Sequence, residues 1–232
     1  PHFDPNTLSL ERMRRLQEEN PRSQVLVNKA LASSARYFPG SAFKILTGAA
    51  ALDEGIDRGF TCRHGRNAET LAWEYDGIRW RREAGKIRDY GSGSHGGLRC
   101  PEDMVAATAR SCNVYFAGVA TELGPERLLR AMRNAELERL PTPRELAERL
   151  PYAGFGQGDL RVTPLELAQL AGAFGAARPD AVESTAARPY WVKYVVHSRG
   201  RTDPEGLPGA PDRKIYQPFP PRVMQQMREA MV

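Results

Sequence analysis

The chain has 232 residues, 41% of them hydrophobic, which suits one domain with a sizeable core. Its 33 basic and 28 acidic residues are interspersed, so the net charge of +5 comes without a basic run of the kind that forms a nucleic-acid arm. No apolar stretch of 18 residues is present, which leaves no candidate for a membrane-spanning helix in this sequence.

In chain order, residues 7 to 20 read as a charged helix. Pro39-Gly40-Ser41-Ala42-Phe43-Lys44 then opens a stretch (Ile45, Leu46, Ala49, Ala50, Leu52) whose apolar spacing predicts a helix over 41 to 54. Residues three apart are neighbours on a helix, so the Lys44 amine is expected to reach the Ser41 hydroxyl, a nucleophile and its base within four residues. A plainer use of Ser41 is as a helix N-cap. Residues 60 to 98 lack periodicity and hold Gly91-Ser92-Gly93-Ser94-His95-Gly96-Gly97, predicting a loop-rich insert in which Trp73, Tyr75 and Trp80 serve packing. Helices are expected at 101 to 110, 114 to 123, 125 to 136 and 143 to 149, the last started by Thr142 with Pro143 behind it. Thr163-Pro164-Leu165-Glu166 is a clear helix start, with the helix running to about Phe174 and Leu165, Leu167, Leu170, Ala171 and Phe174 facing the core. Residues 189 to 197 are the best strand candidate, and 198 to 213, with three prolines, a surface excursion.

Ser111-Cys112-Asn113 falls between two of these helices, where Ser-x-Asn could be an ordinary capped turn. Cys112 beside it reads as a small buried residue, since no histidine is near in sequence to activate it. Cys62 and Cys100 flank the insert and could form a disulfide in an oxidising compartment or remain thiols. His2, His64, His95 and His197 are isolated, and Cys62-Arg63-His64 is too tight to be a ligand set, so no metal and no cofactor is expected.

Taken together, Ser41-Ala42-Phe43-Lys44 and Ser111-Cys112-Asn113 are two of the three boxes of the serine penicillin-recognising enzymes, in the right order. The chain resembles the transpeptidase domain of a penicillin-binding protein almost end to end. Phe3-Asp4-Pro5-Asn6, the Tyr37-to-Lys44 box, Ser111-Cys112-Asn113-Val114-Tyr115-Phe116, Gly156-Gln157-Gly158 and Val162-Thr163-Pro164-Leu165-Glu166 all resemble family segments in register. Ile45-Leu46-Thr47 and Ala49-Ala50-Ala51-Leu52 look more like the class B, monofunctional proteins of elongation or division. The third box, Lys-Thr-Gly, does not occur, and the family places it after a helix resembling residues 221 to 232. An internal fragment, 1 to 232, of a larger transpeptidase domain is therefore expected.

The resemblance implies an α+β transpeptidase fold, here mainly its helical part, with most of the central antiparallel sheet outside this chain. It implies that Ser41 attacks the penultimate D-alanine of a peptidoglycan stem peptide, with Lys44 as base, Ser111 as proton relay and Asn113 donating its amide to substrate or to Lys44. Lys44 is a base only when neutral, whereas an ordinary lysine titrates near ~10.4; burial and a nearby cation lower that value. The implied partners are stem peptides, β-lactam antibiotics and a membrane glycan polymerase, with no nucleic acid. A membrane anchor upstream and a periplasmic location are implied as well. A β-lactamase or β-lactam sensor on the same fold, or a non-catalytic cell-wall scaffold, are the alternatives.

Overall fold

The computed structural model describes residues 9–19, 30, 36–57, 87, 103–177 and 216–231, and the backbone of four two-residue strands within the remainder. Among these residues are eight α-helices: α1 (Leu10–Glu19), α2 (Lys44–Asp53), α3 (Met104–Ala109), α4 (Asn113–Asn134), α5 (Pro143–Glu148), α6 (Leu150–Ala153), α7 (Pro164–Ala176) and α8 (Pro221–Ala230). Strands β1 (Glu74–Tyr75) and β2 (Ile78–Arg79) pair antiparallel, as do β3 (Val195–Val196) and β4 (Thr202–Asp203). No described helix is long and apolar enough to cross a membrane.

Helix α2 is the centre of the described core. Its sequence, Lys-Ile-Leu-Thr-Gly-Ala-Ala-Ala-Leu-Asp, is short-side-chained on nearly every face, so neighbours approach it from all sides, and Lys44 and Leu46 to Ala51 are buried. It packs on α4, α8 and α3. A Cβ added at Gly48 would stand 2.8 Å from the Met227 sulfur of α8 and 3.0 Å from the Met104 sulfur of α3. Glycine is what lets both adaptable thioethers close on the helix that carries Lys44.

Helix α4 consists of two segments meeting at Gly124, whose φ of 76° and ψ of 163° break the helical path just before Pro125. The two helices expected over 114 to 123 and 125 to 136 therefore abut, the second ending two residues early. The helix starts read at Thr142 and Thr163 both form, and each is a capping box, the hydroxyl accepting the N–H three residues on while the glutamate there bonds back to the cap.

On α7, the predicted apolar face is rotated. Leu170, Ala173 and Phe174 are buried, Leu165 and Leu167 are half-buried, and Ala171 is exposed. Apolar residues lie on nearly every side of the helix, so periodicity does not choose the packing face; the segment around α8 chooses it, through Phe174 against Phe219 and the Arg228 guanidinium donating to the Ala177 carbonyl at 2.7 Å. Thr202–Asp203, in the stretch expected to be a surface excursion, pairs instead with the Val195–Val196 part of the predicted strand. Most of the insert at 60 to 98, the Phe3-Asp4-Pro5-Asn6 segment, Cys62, Cys100 and all four histidines lie outside the described residues.

Candidate active site

Two helix ends build the site. On the first, Pro39 and Gly40 lead into a 3₁₀ turn, Gly40–Phe43, that runs directly into α2. Ser41 thus lies on the tight turn and not on the α-helix predicted for it. It is exposed, and its hydroxyl caps neither the turn nor the helix, so the N-cap use is not realised.

The segment before Ser41 is tied down by the Gly-Gln-Gly region. Tyr37 and Val162 form an antiparallel bridge, with N–H to carbonyl distances of 2.8 and 3.0 Å. Gly40, at φ +55°, donates its N–H to the Gly156 carbonyl at 2.9 Å. The approach is so close that a Cβ on Gly156, itself at φ +80°, would be 2.0 Å from the Gly40 oxygen. Only glycine meets both demands, the left-handed backbone and the backbone-to-backbone contact. The exposed Phe38 ring beside it is covered on one face by the Arg161 guanidinium at 3.3 Å.

The second end is the junction of α3 and α4. Helix α3 stops in a left-handed cap: the Ser111 N–H donates to the Thr108 carbonyl and the Cys112 N–H to that of Ala107, each at 3.0 Å. This double bond pattern puts Ser111 where helices usually carry glycine, and its φ is 51°. A non-glycine residue there stores about 1–3 kcal/mol of strain, which the surrounding packing must hold. Cys112 is fully buried as expected, and its Sγ accepts the Tyr115 N–H at 3.3 Å, capping α4. Burial, with Asp57 and Asp103 adding to it, pushes the Tyr115 phenol well above its ordinary range, so this core ring stays neutral.

Lys44 joins the two ends. Its Nζ is within hydrogen-bond reach of the Ser111 carbonyl (2.6 Å), the Ser111 Oγ (2.9 Å) and Asn113 Oδ1 (2.7 Å), and lies 5.7 Å from the centre of the Phe116 ring. The side chain is 3% exposed, whereas Ser41 and Ser111 are both exposed. Two expectations change. The Lys44 amine bonds to Ser111 and Asn113 and not to the Ser41 hydroxyl, because the left-handed cap aims both Ser111 oxygens at it. Asn113 faces the lysine with its carbonyl oxygen, so of its two expected uses the amide donation to Lys44 is not made.

A protonated amine donates three N–H bonds, matching the three oxygens. A neutral amine has two N–H groups and a lone pair. Of these three oxygens, the Ser111 carbonyl and Asn113 Oδ1 can only accept, whereas the Ser111 hydroxyl can also donate to a neutral amine's lone pair. Sequence reasoning missed Arg36, which donates to Glu166 of the Thr163 capping box and ties that helix start to the nucleophile segment. The signal was present: glutamate stands at 166 where the resembled family segment has glutamine. Among the described residues no cluster of His, Cys, Asp or Glu could hold a metal ion.

The whole chain, residues 1–232, matches the family model described as the penicillin binding protein transpeptidase domain. It is similar to the penicillin-binding protein A of M. tuberculosis in its imipenem acyl-enzyme complex, at 22% identity and a TM-score of 0.66, over 100% of this chain and 52% of that one. The same protein's penicillin G acyl-enzyme complex gives a TM-score of 0.67 at 22% identity with the same coverage. A D,D-transpeptidase domain of a peptidoglycan glycosyltransferase from Eggerthella lenta gives 0.65 at 21% identity, over 94% of this chain and 52% of that one. The chain thus spans about half the length of these similar structures. Among curated proteins nothing matches it. With the α+β fold shared and the family model matched along its length, the chain belongs to the penicillin-binding protein transpeptidase domain family.

Proposed function

We propose that this protein is a serine D,D-transpeptidase that crosslinks peptidoglycan stem peptides and is acylated by β-lactams. The observation that carries the reading is the buried Lys44 amine, held by Ser111 and Asn113 one helical turn from an exposed, uncapped Ser41. Ser41 Oγ attacks the carbonyl of the penultimate D-alanine and gives its proton to neutral Lys44, directly or through Ser111. The C–N bond to the terminal D-alanine then breaks, and the leaving amine takes a proton from the Ser111 hydroxyl, which Lys44 resupplies. An amine of a neighbouring stem attacks the Ser41 ester, forming the crosslink and returning the proton to Ser41.

Apo structures commonly leave catalytic hydrogen bonds long or misaligned until substrate enters, which accommodates the unbonded Ser41 hydroxyl. The first N–H groups of a helix lack intrahelical acceptors, and the Ser41 N–H at such a start suits the developing oxyanion. A class B role in elongation or division, a membrane glycan polymerase as partner and a location on the outer face of the cytoplasmic membrane belong to the same reading. Mass spectrometry of the penicillin-treated full-length protein should show one adduct, on Ser41, absent in Ser41→Ala and long-lived. An adduct on Ser111 would overturn the assignment, and rapid turnover of a chromogenic cephalosporin would favour a β-lactamase.

A further inference from the structure

Arg36 lies five residues before Ser41, and only 6% of its side chain is exposed. Its Nη1 donates to the two Glu166 carboxylate oxygens at 3.3 and 3.1 Å, and its Nη2 donates to Glu138. Glu166, 10% exposed, also accepts the Thr163 N–H at 2.6 Å, the Thr163 hydroxyl at 2.9 Å and the Glu138 N–H at 2.8 Å. One carboxylate therefore gathers three pieces of chain: the nucleophile's approach segment, the start of α7 and the turn that follows α4.

The helix start alone does not ask for this charge. A capping box works with glutamine as well as glutamate at its third position. The equivalent box of α5 has Glu145 bonded to Thr142 with no arginine in hydrogen-bond reach of it among the described residues. A carboxylate at 166 is needed because a covered guanidinium stands opposite, and a charge that deep requires a partner. Arg36 immediately precedes the Tyr37–Val162 bridge and the Gly40–Gly156 contact, so the pair closes the end of the backbone track that leads to Ser41.

We propose that Arg36 and Glu166 are positioning residues: their ion pair fixes the register of residues 37–40 along Val162 and Gly156, and so sets where the Ser41 hydroxyl stands for acylation. The inference rests on Ser41 being the nucleophile.

The test uses Arg36→Gln, Glu166→Gln and the double variant, with Arg36→Lys as the conservative change and Glu145→Gln as the same substitution in a capping box without the arginine. Glu166→Gln keeps the box of α7, so a folded variant is available even if Arg36→Gln is not. The first readout is amide hydrogen exchange at Tyr37 and Gly40, which needs no substrate. It should quicken in the Arg36→Gln and Glu166→Gln variants while the Cys112 amide, in the left-handed cap, keeps its rate. The second is penicillin acylation split into the binding constant and the acylation rate constant. A misplacement of 1 Å costs up to about 10²-fold, so a loss of about 10-fold in the rate constant is expected, with binding changed less than about 2-fold. The double variant should be no worse than the worse single one, Arg36→Lys should recover part of the loss, and Glu145→Gln should match the unaltered protein.

Unchanged exchange at Tyr37 and Gly40, or an acylation rate constant unchanged in Glu166→Gln while only the melting temperature falls, would overturn the positioning role. Absence of any Ser41 adduct in the full-length unaltered protein would instead overturn the transpeptidase reading, with the exchange rates still judging the ion pair on its own.

Discussion

Ser41 and Ser111 belong to regions built in different ways. The segment before Ser41 is held by partners far along the chain: Val162 pairs with Tyr37, Gly156 receives the Gly40 N–H, and Glu166 binds Arg36. The Ser111 backbone is turned by its own neighbours, through the bonds to Thr108 and Ala107 that close α3, and the Lys44 amine reaches its two oxygens from α2. The first arrangement couples Ser41 to events at α7 and the Gly-Gln-Gly turn. The second isolates Ser111 from them, at the cost of a strained backbone. Residues far from the chemistry should therefore affect Ser41 much more than Ser111.

The largest expected effect falls on the amine shared by both regions. Arginine keeps the charge but cannot release a proton near neutral pH, and a general base is worth about 10²–10⁴-fold. Lys44→Arg should thus acylate within a few-fold of Lys44→Ala in stopped-flow measurements with a fluorescent penicillin. Retention of most of the rate by Lys44→Arg would make the lysine an electrostatic aid instead of a base.

Next comes the long-range track. Gly156→Ala would drive a Cβ to 2.0 Å from the Gly40 oxygen at a left-handed φ, whereas Gly158→Ala meets only the Arg149 Cβ at 3.2 Å. A loss of roughly 2–4 kcal/mol is expected for the first and about 1–2 for the second, by urea denaturation. Gly156→Ala should also slow acylation. Equal losses at the two glycines would mean that the contact with Gly40 matters no more than backbone conformation.

A smaller effect should appear with pH. Burial pushes Glu166 upward, but the N–H groups of Thr163 and Glu138, the Thr163 hydroxyl and the Arg36 guanidinium outweigh it and hold the carboxyl below the ordinary carboxylate range. A carboxylate depressed on folding stabilises the protein fully above its unfolded value, and that contribution is lost as pH falls through the folded one. Melting temperatures should consequently decline below about pH 4.5 in the unaltered protein, and less steeply in Glu166→Gln. An identical acid limb in both would remove Glu166 from the account.

The smallest change sharpens the view of helix ends. Glu136 has φ 54° and closes α4 with the same bond pattern as Ser111, its N–H on Arg133 and the next on Met132. Glu136→Gly should relieve the strain and stabilise by about 1 kcal/mol with acylation untouched. Ser111→Gly relieves the same strain yet removes the relay hydroxyl, so it should fold as well as the unaltered protein and fail to turn over substrate.

Much of this was legible in the sequence because it is local. The helix starts at Thr142 and Thr163 and the division between the two helices at Gly124 each depend on residues within one helical turn, and all form close to where they are read. The Ser41, Lys44, Ser111 and Asn113 motifs were equally plain as motifs. What failed was orientation. Alanine, glycine and leucine surround α7, so no face stands out, and Ala171 faces outward while Ala173 is buried.

The sequence by itself determined which residues could meet: side chains with the right chemistry, helix starts that point them, and glycines where a backbone must turn left-handed. Only the tertiary structure decided which did meet. The Lys44 amine goes to Ser111 and Asn113 because α2 packs against the junction of α3 and α4, and Gly40 meets Gly156 because the turn after α6 lies against the segment before α2. Hydrogen bonds between distant segments depend on how whole helices dock, and docking is set by the summed burial of apolar surface, which no short motif encodes.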